Sequence, residues 1–135
     1  MLNEIFQDRP GNARFYACPS TVVAGDPVLV GAILPGVALE TYNATKGGAV
    51  IRLSGTYALT AIAATVVSPV TGSELKEGEW VYATGTTDAT TGMMTGLTLS
   101  KASAGVKFGT YDSPTSVASG VTSTSARIKL PESPA

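Results

Sequence analysis

The sequence predicts an all-β protein: one small barrel-like or sandwich-like domain of about eight or nine short strands, with an extended N-terminal arm and little helix. Three observations carry this. First, only 14% of the 135 residues are charged, with 15 Gly and 8 Pro, against a usual charged share of roughly 25%. Such a chain favours short strands and many turns over long charged helices. Second, short apolar or alternating runs recur with turn signals between them. Third, one piece of grammar occurs twice. Ala24-Gly25-Asp26-Pro27-Val28-Leu29-Val30 and Glu77-Gly78-Glu79-Trp80-Val81-Tyr82 each run from a turn glycine through an acid into a strand. The expected organisation is an arm over residues 1–19, a β domain over 20–130 and a short tail over 131–135.

Taken in order, Asp8-Arg9-Pro10-Gly11-Asn12 is a turn within the arm. Leu2, Ile5, Phe6 and Phe15 are its apolar anchors, and Arg14 to Cys18 reads as a short strand ended by Pro19. Val28 to Val30 is the first clear strand. Leu34-Pro35-Gly36 has type II turn chemistry, so a strand is expected from Val37 to Tyr42, with Val37 and Leu39 on one face. Ala49 to Leu53 and Thr56 to Leu59 read as a hairpin joined by Ser54-Gly55. Ala58 to Val67 mixes Ala with β-branched residues and reads as a strand tail with one helical turn. A loop over Ser68 to Glu77 precedes the strand Glu79 to Thr84, which carries Trp80 and Tyr82 on one face and Val81 on the other. Gly85 to Gly92 is a polar loop. Met93 to Leu99 and Val106 to Tyr111 alternate as half-buried strands. Thr115 to Ser125 reads as a surface loop, and Ala126 to Leu130 as the closing strand, with Ile128 and Leu130 opposed to Arg127 and Lys129.

The chemistry-bearing residues are sparse. There is no His, which removes the commonest general base and metal ligand. Cys18 is the single cysteine, so no internal disulfide forms, and its neighbours suit a small core residue. No nucleophile elbow, phosphate loop or zinc motif occurs. Glu77 and Glu79 flank a turn glycine and read as solvated carboxylates. Asp88-Ala89-Thr90-Thr91-Gly92 offers oxygens for a cation, or an Asp bonding its own backbone. Trp80 and Tyr82 are read as core or oligomer anchors, with a sugar-stacking platform as the other possibility. Catalytic, cofactor and metal sites are therefore expected to be none. A formal net charge of −1 provides no footprint for nucleic acid, and no apolar run reaches the roughly 18 residues of a membrane helix.

Five blocks in order resemble a known family. They are Ala24 to Gly31, Leu34 to Leu39, Ala49 to Leu53 with Gly55 and Tyr57 to Leu59, Leu75 to Tyr82, and Arg127 to Leu130. The chain resembles the small capsid cement, or head-decoration, proteins of tailed bacteriophages, over about residues 20 to 130. One block departs: Val106 to Tyr111 stands where the family carries an I-G-x-A-L-like strand. The resemblance implies a β-tulip-like decoration domain of the lambda-like kind on the outer surface of the virion's capsid. It implies the major capsid protein as partner, self-association as a trimer, no cofactor and no catalysis. Leu2, Ile5, Phe6 and Phe15 are then the expected shell contacts. A tail or baseplate β-module, or a carbohydrate-binding head module using Trp80 and Tyr82, are the alternatives.

Overall fold

In the computed structural model, residues 13–67 and 70–131 are described, and among them no residue is helical. The described residues form eleven strands, where about eight or nine were expected. The first group is β1 (Ala13–Ala17), β2 (Pro27–Val30), β3 (Leu34–Ala38) and β4 (Gly48–Arg52). The second is β5 (Thr56–Ile62), β6 (Ala64–Val67), β7 (Val70–Gly72), β8 (Trp80–Thr87), β9 (Met94–Ser100), β10 (Val106–Tyr111) and β11 (Thr122–Lys129). Nine of them form one sheet in the order β1-β4-β3-β2-β9-β5-β11-β10-β8. A further β9–β8 pairing closes the last five into a barrel. The first four strands leave it as a wing, and β6 and β7 make a separate hairpin.

The hairpin β2–β3 joins wing to barrel and is buried on both faces. Val28 and Ala38 lie in the wing core with Cys18, Val22, Ala49, Ile51 and Leu53. Leu29 and Val37 face the other way, into the barrel core with Leu59, Val81, Leu99, Phe108, Ile128 and Leu130. This explains the unbroken apolar run Val28-Leu29-Val30, since a strand covered on both sides has no reason to alternate. Met93 returns the exchange by packing from the β8–β9 connection into the wing core.

The repeated grammar is one device built twice. In Val23-Ala24-Gly25-Asp26 and in Lys76-Glu77-Gly78-Glu79 the glycine has φ of 92° and 87°, as the third position of a type II turn requires. In each, the first residue's N–H donates to the acid's carboxylate: Val23 to Asp26 at 3.0 Å, Lys76 to Glu79 at 2.8 Å. In each, the glycine N–H and the acid C=O grip one residue of a neighbouring segment. Ala38 plays that part for Gly25 and Asp26, at 2.7 and 2.9 Å. Tyr111 plays it for Gly78 and Glu79, at 2.8 and 2.9 Å.

Several expectations are corrected. The turn falls at residues 31–33, not at Leu34-Pro35-Gly36. Gly31 and Ala32 both have positive φ, 63° and 62°, as type I′ requires, and this geometry follows the twist of a tight hairpin. Pro35 sits in β3, where its missing N–H costs little because the β3–β4 ladder begins only at Val37. Gly36 is held close to β4: a Cβ there would lie 2.5 Å from Ile51 Cγ2. β3 ends at Ala38, and Leu39 is 42% exposed, because the wing has by then run past the barrel wall that covers Val37. Ser54-Gly55 is not a hairpin turn. β4 pairs with β1 and β3, and β5 pairs with β11 and β9, so these residues carry the chain from wing to barrel. Ala58 to Val67 contains no helical turn. Val70–Gly72 forms a strand inside the expected 68–77 loop, Gly85 to Thr87 extend β8, and Thr122 to Ser125 extend β11. Val117, expected at the surface, is buried and bridges to Leu75.

The interior of a five-stranded barrel is narrow, and Phe108 already fills much of it. The small side chains of β8, Val81 and Ala83, point inward. Trp80, 37% exposed, and half-buried Tyr82 point out, so neither is a core anchor. The same alternation places Ile128 and Leu130 inside, and Arg127 and Lys129 outside, as expected.

Candidate interaction surface

Leu2, Ile5 and Phe6 lie outside the described residues. Phe15, the fourth arm residue, is on β1, so the sheet takes in part of the expected arm. β1 pairs with β4 in an unbroken antiparallel register from Ala13↔Arg52 to Ala17↔Gly48. Among the described residues no strand pairs with its other side. Phe15 is 46% exposed. Its ring lies over Gly48, where a Cβ would come within 2.8 Å of Cζ. Across the strands Phe15 opposes Val50, and Val50 C=O accepts the Leu39 N–H at 2.9 Å. Phe15, Val50 and Leu39 thus make an apolar row ending at the outermost described strand of the sheet. Backbone groups at such an edge are ready to accept another strand.

The second outward feature is on the barrel. Lys107 Nζ stands 4.6 Å from the centre of the Trp80 ring, and Lys107 is paired in register with Tyr82. This cation–π contact occupies one face of the indole. Trp80 is therefore brought together with Tyr82 and Lys107, while Phe15 lies on the wing.

The carboxylates serve structure. Glu79 Oε1 meets Lys101 Nζ at 3.0 Å, and Lys101 also donates to Glu74 C=O at 2.7 Å and Ser73 Oγ at 3.2 Å. The Glu79 carboxyl is held below its ordinary range, first by the Lys76 backbone N–H; burial opposes this, and the hydrogen bond and charge of Lys101 add to the lowering. Asp88 Oδ2 accepts both the N–H and the hydroxyl of Thr91 at 2.8 Å, and these bonds lower its pKa. That is the self-capped turn rather than an open oxygen cage. Glu77 projects into solvent. Cys18 lies in the wing core, where burial, and then the charge of Glu40, push its thiol upward. Such a thiol is a poor nucleophile.

An open cleft of about 320 Å³ runs between the first twin turn and the barrel, past Asp26, Pro27, Ala58, Thr60, Leu97 and Thr124. Its one carboxylate, Asp26, is already bound to the Val23 N–H. Among the described residues no group of three His, Cys, Asp or Glu is placed to hold a metal ion. No protein-family model, curated protein or solved structure matches the chain. The exposed row and edge of β1 were half legible in sequence. Phe15 stood out as an anchor, but Leu39 and Val50 were read only as strand residues.

Proposed function

We propose that this chain is a structural decoration, or cement, protein of a tailed-bacteriophage head. In this reading it binds the outside of the mature shell and bridges neighbouring major capsid protein subunits. It acts as a trimer, without catalysis or cofactor. The observation that carries the reading is β1, which lies within the expected arm of residues 1–19 and, among the described residues, is paired on one side only. An arm leading into an open strand suits main-chain pairing with a shell protein. The five family-like sequence blocks and the charge-poor composition support it. A shell repeats its surface many times, so a weak clamp used at every site becomes collectively strong.

The test is copy number in purified virions, by quantitative mass spectrometry against the major shell protein. A ratio near one to one, or a simple fraction of it, is expected. A handful of copies would instead assign the chain to the tail or baseplate, and absence from the particle would remove the virion reading. Outward Trp80 beside Tyr82 supports a second reading, a carbohydrate-binding head module. Glycan binding lost in Trp80→Ala would select it.

A further inference from the structure

Charge is segregated on this molecule. The five barrel strands carry three charged side chains, Lys107, Arg127 and Lys129. All three are cations, in a chain whose formal net charge is −1. All three are exposed, on the outer face of the adjacent strands β10 and β11. Every described Asp and Glu lies outside the strands. Two acids stand at the margin of this face. Asp112 is 3.9 Å from Arg127, and Glu79 is taken by Lys101 at 3.0 Å. Lys107 and Lys129 have no carboxylate partner among the described residues.

We propose that the outer face of β8, β10 and β11 binds an acidic polysaccharide, its carboxylates on Lys107, Lys129 and Arg127 and its rings against Trp80 and Tyr82. The register sets the spacing. Lys107 is level with Tyr82, and Thr110 joins Trp80 to Lys129 in one cross-strand row. Lys129 is therefore one strand across and two levels along from Lys107, about 8 Å between Cα atoms. Arg127 lies about 7 Å further along β11. The three cations make a staggered row beside two outward aromatic rings.

The chemistry of the face selects this partner. Lys107 is held 4.6 Å from the centre of the Trp80 ring, so a cation and an aromatic surface are offered together. Sugar C–H groups pack on such rings, and the Thr84 and Thr110 hydroxyls share the face. An acidic polysaccharide separates its carboxylates by whole rings, as the strands here separate the cations. A neutral glycan would leave the three cations unused. A nucleic acid packs its charges more densely than three cations can answer, and a net negative chain repels it. Each contact is modest, and a repeating polymer multiplies it. The inference gives the carbohydrate-binding reading a ligand class and rests on that reading.

Affinity electrophoresis of the full chain tests it, in gels holding polygalacturonate, alginate or polysialate, each also after carboxyl reduction, against a polymer-free gel. Retardation by at least one acidic polymer is expected, and none by its reduced form. Lys107→Gln combined with Lys129→Gln should weaken that binding about tenfold, and Trp80→Ala should weaken it too. Lys46→Gln, at an exposed cation of the wing, should leave it unchanged. Equal retardation by the reduced polymers, lost in Trp80→Ala, would overturn the acidic ligand and keep the carbohydrate reading. No retardation by any polymer, acidic or reduced, would remove both. An equal loss in Lys46→Gln would show unspecific attraction and sink the inference. Tighter binding of oligodeoxythymidylate would assign the face to nucleic acid instead.

Discussion

Wing and barrel each carry the same turn and end differently. In the barrel, the strand that follows the turn, β8, is paired on both sides, with β10 and with β9, so the sheet closes on itself. In the wing, the corresponding strand β2 is followed by β3, β4 and β1, and among the described residues the sheet ends at β1. Closure removes edges. The lesson is that one turn serves both a closed sheet and an open one, because closure is decided by what pairs beyond it. Each half carries this turn, and among the described residues only the wing ends in a strand paired on one side, beside an exposed apolar row.

The largest expected effect tests whether the halves are separable. Phe108 is fully buried in the barrel core, and Phe108→Ala should cost about 3–5 kcal/mol. Leu29 and Val37 of the wing share that core, and Met93 reciprocates. Loss of the barrel should therefore carry the wing with it, in a single denaturant transition seen alike by far-UV and near-UV circular dichroism. Two separated transitions would show the halves to be independent.

The next effect sharpens the likeness of the two turns. Gly25→Ala and Gly78→Ala each force a Cβ into positive φ with open space around it. Each should cost about 1–2 kcal/mol, and the two should agree within experimental error if the turns are equivalent. A difference in unfolding free energy larger than either cost would break the equivalence.

The smallest effect concerns the one respect in which the turns differ: Glu79 also holds Lys101. Its folded pKa is depressed. The stability it contributes is therefore complete above the ordinary glutamate range and is lost as pH falls through the folded value. Glu79→Gln should flatten the acid limb of stability against pH, leaving a loss of about 1 kcal/mol at neutral pH. An unchanged acid limb would mean that the Lys76 and Lys101 contacts do not stabilise the fold.

Strand existence was legible in the sequence wherever alternation met a turn, as in Val106 to Tyr111 and Ala126 to Leu130. The twin turns were legible too, because Gly and an acid have a local mechanism. Pairing was not. Ser54-Gly55 has hairpin chemistry, yet β5 pairs with β11 through Tyr57↔Ile128 and Leu59↔Ala126, contacts that no local signal encodes. Alternation also tells which residues share a face but not which face is covered. Trp80 and Tyr82 are the larger pair on β8 and still point outward, because the barrel has room only for Val81 and Ala83. On the wing, Leu39 keeps the parity of Val37 but lies beyond the barrel wall. The candidate surface was therefore visible as residues and invisible as a place.

The β5–β11 pairing also sets a timetable. Synthesis delivers the wing strands first, and their ladders close within residues 13–52. β5 emerges next but has to wait for residues 122–129 before most of its hydrogen bonds can form. Such long-range closure is slow compared with local pairing, and domains assemble in the order they leave the ribosome. During that interval Leu29 and Val37 have no barrel core to enter, and the open barrel strands are as adhesive as β1. The last strand is thus the latch: until it docks, a nascent chain presents to its neighbours on the polysome far more open edge than the finished protein ever does.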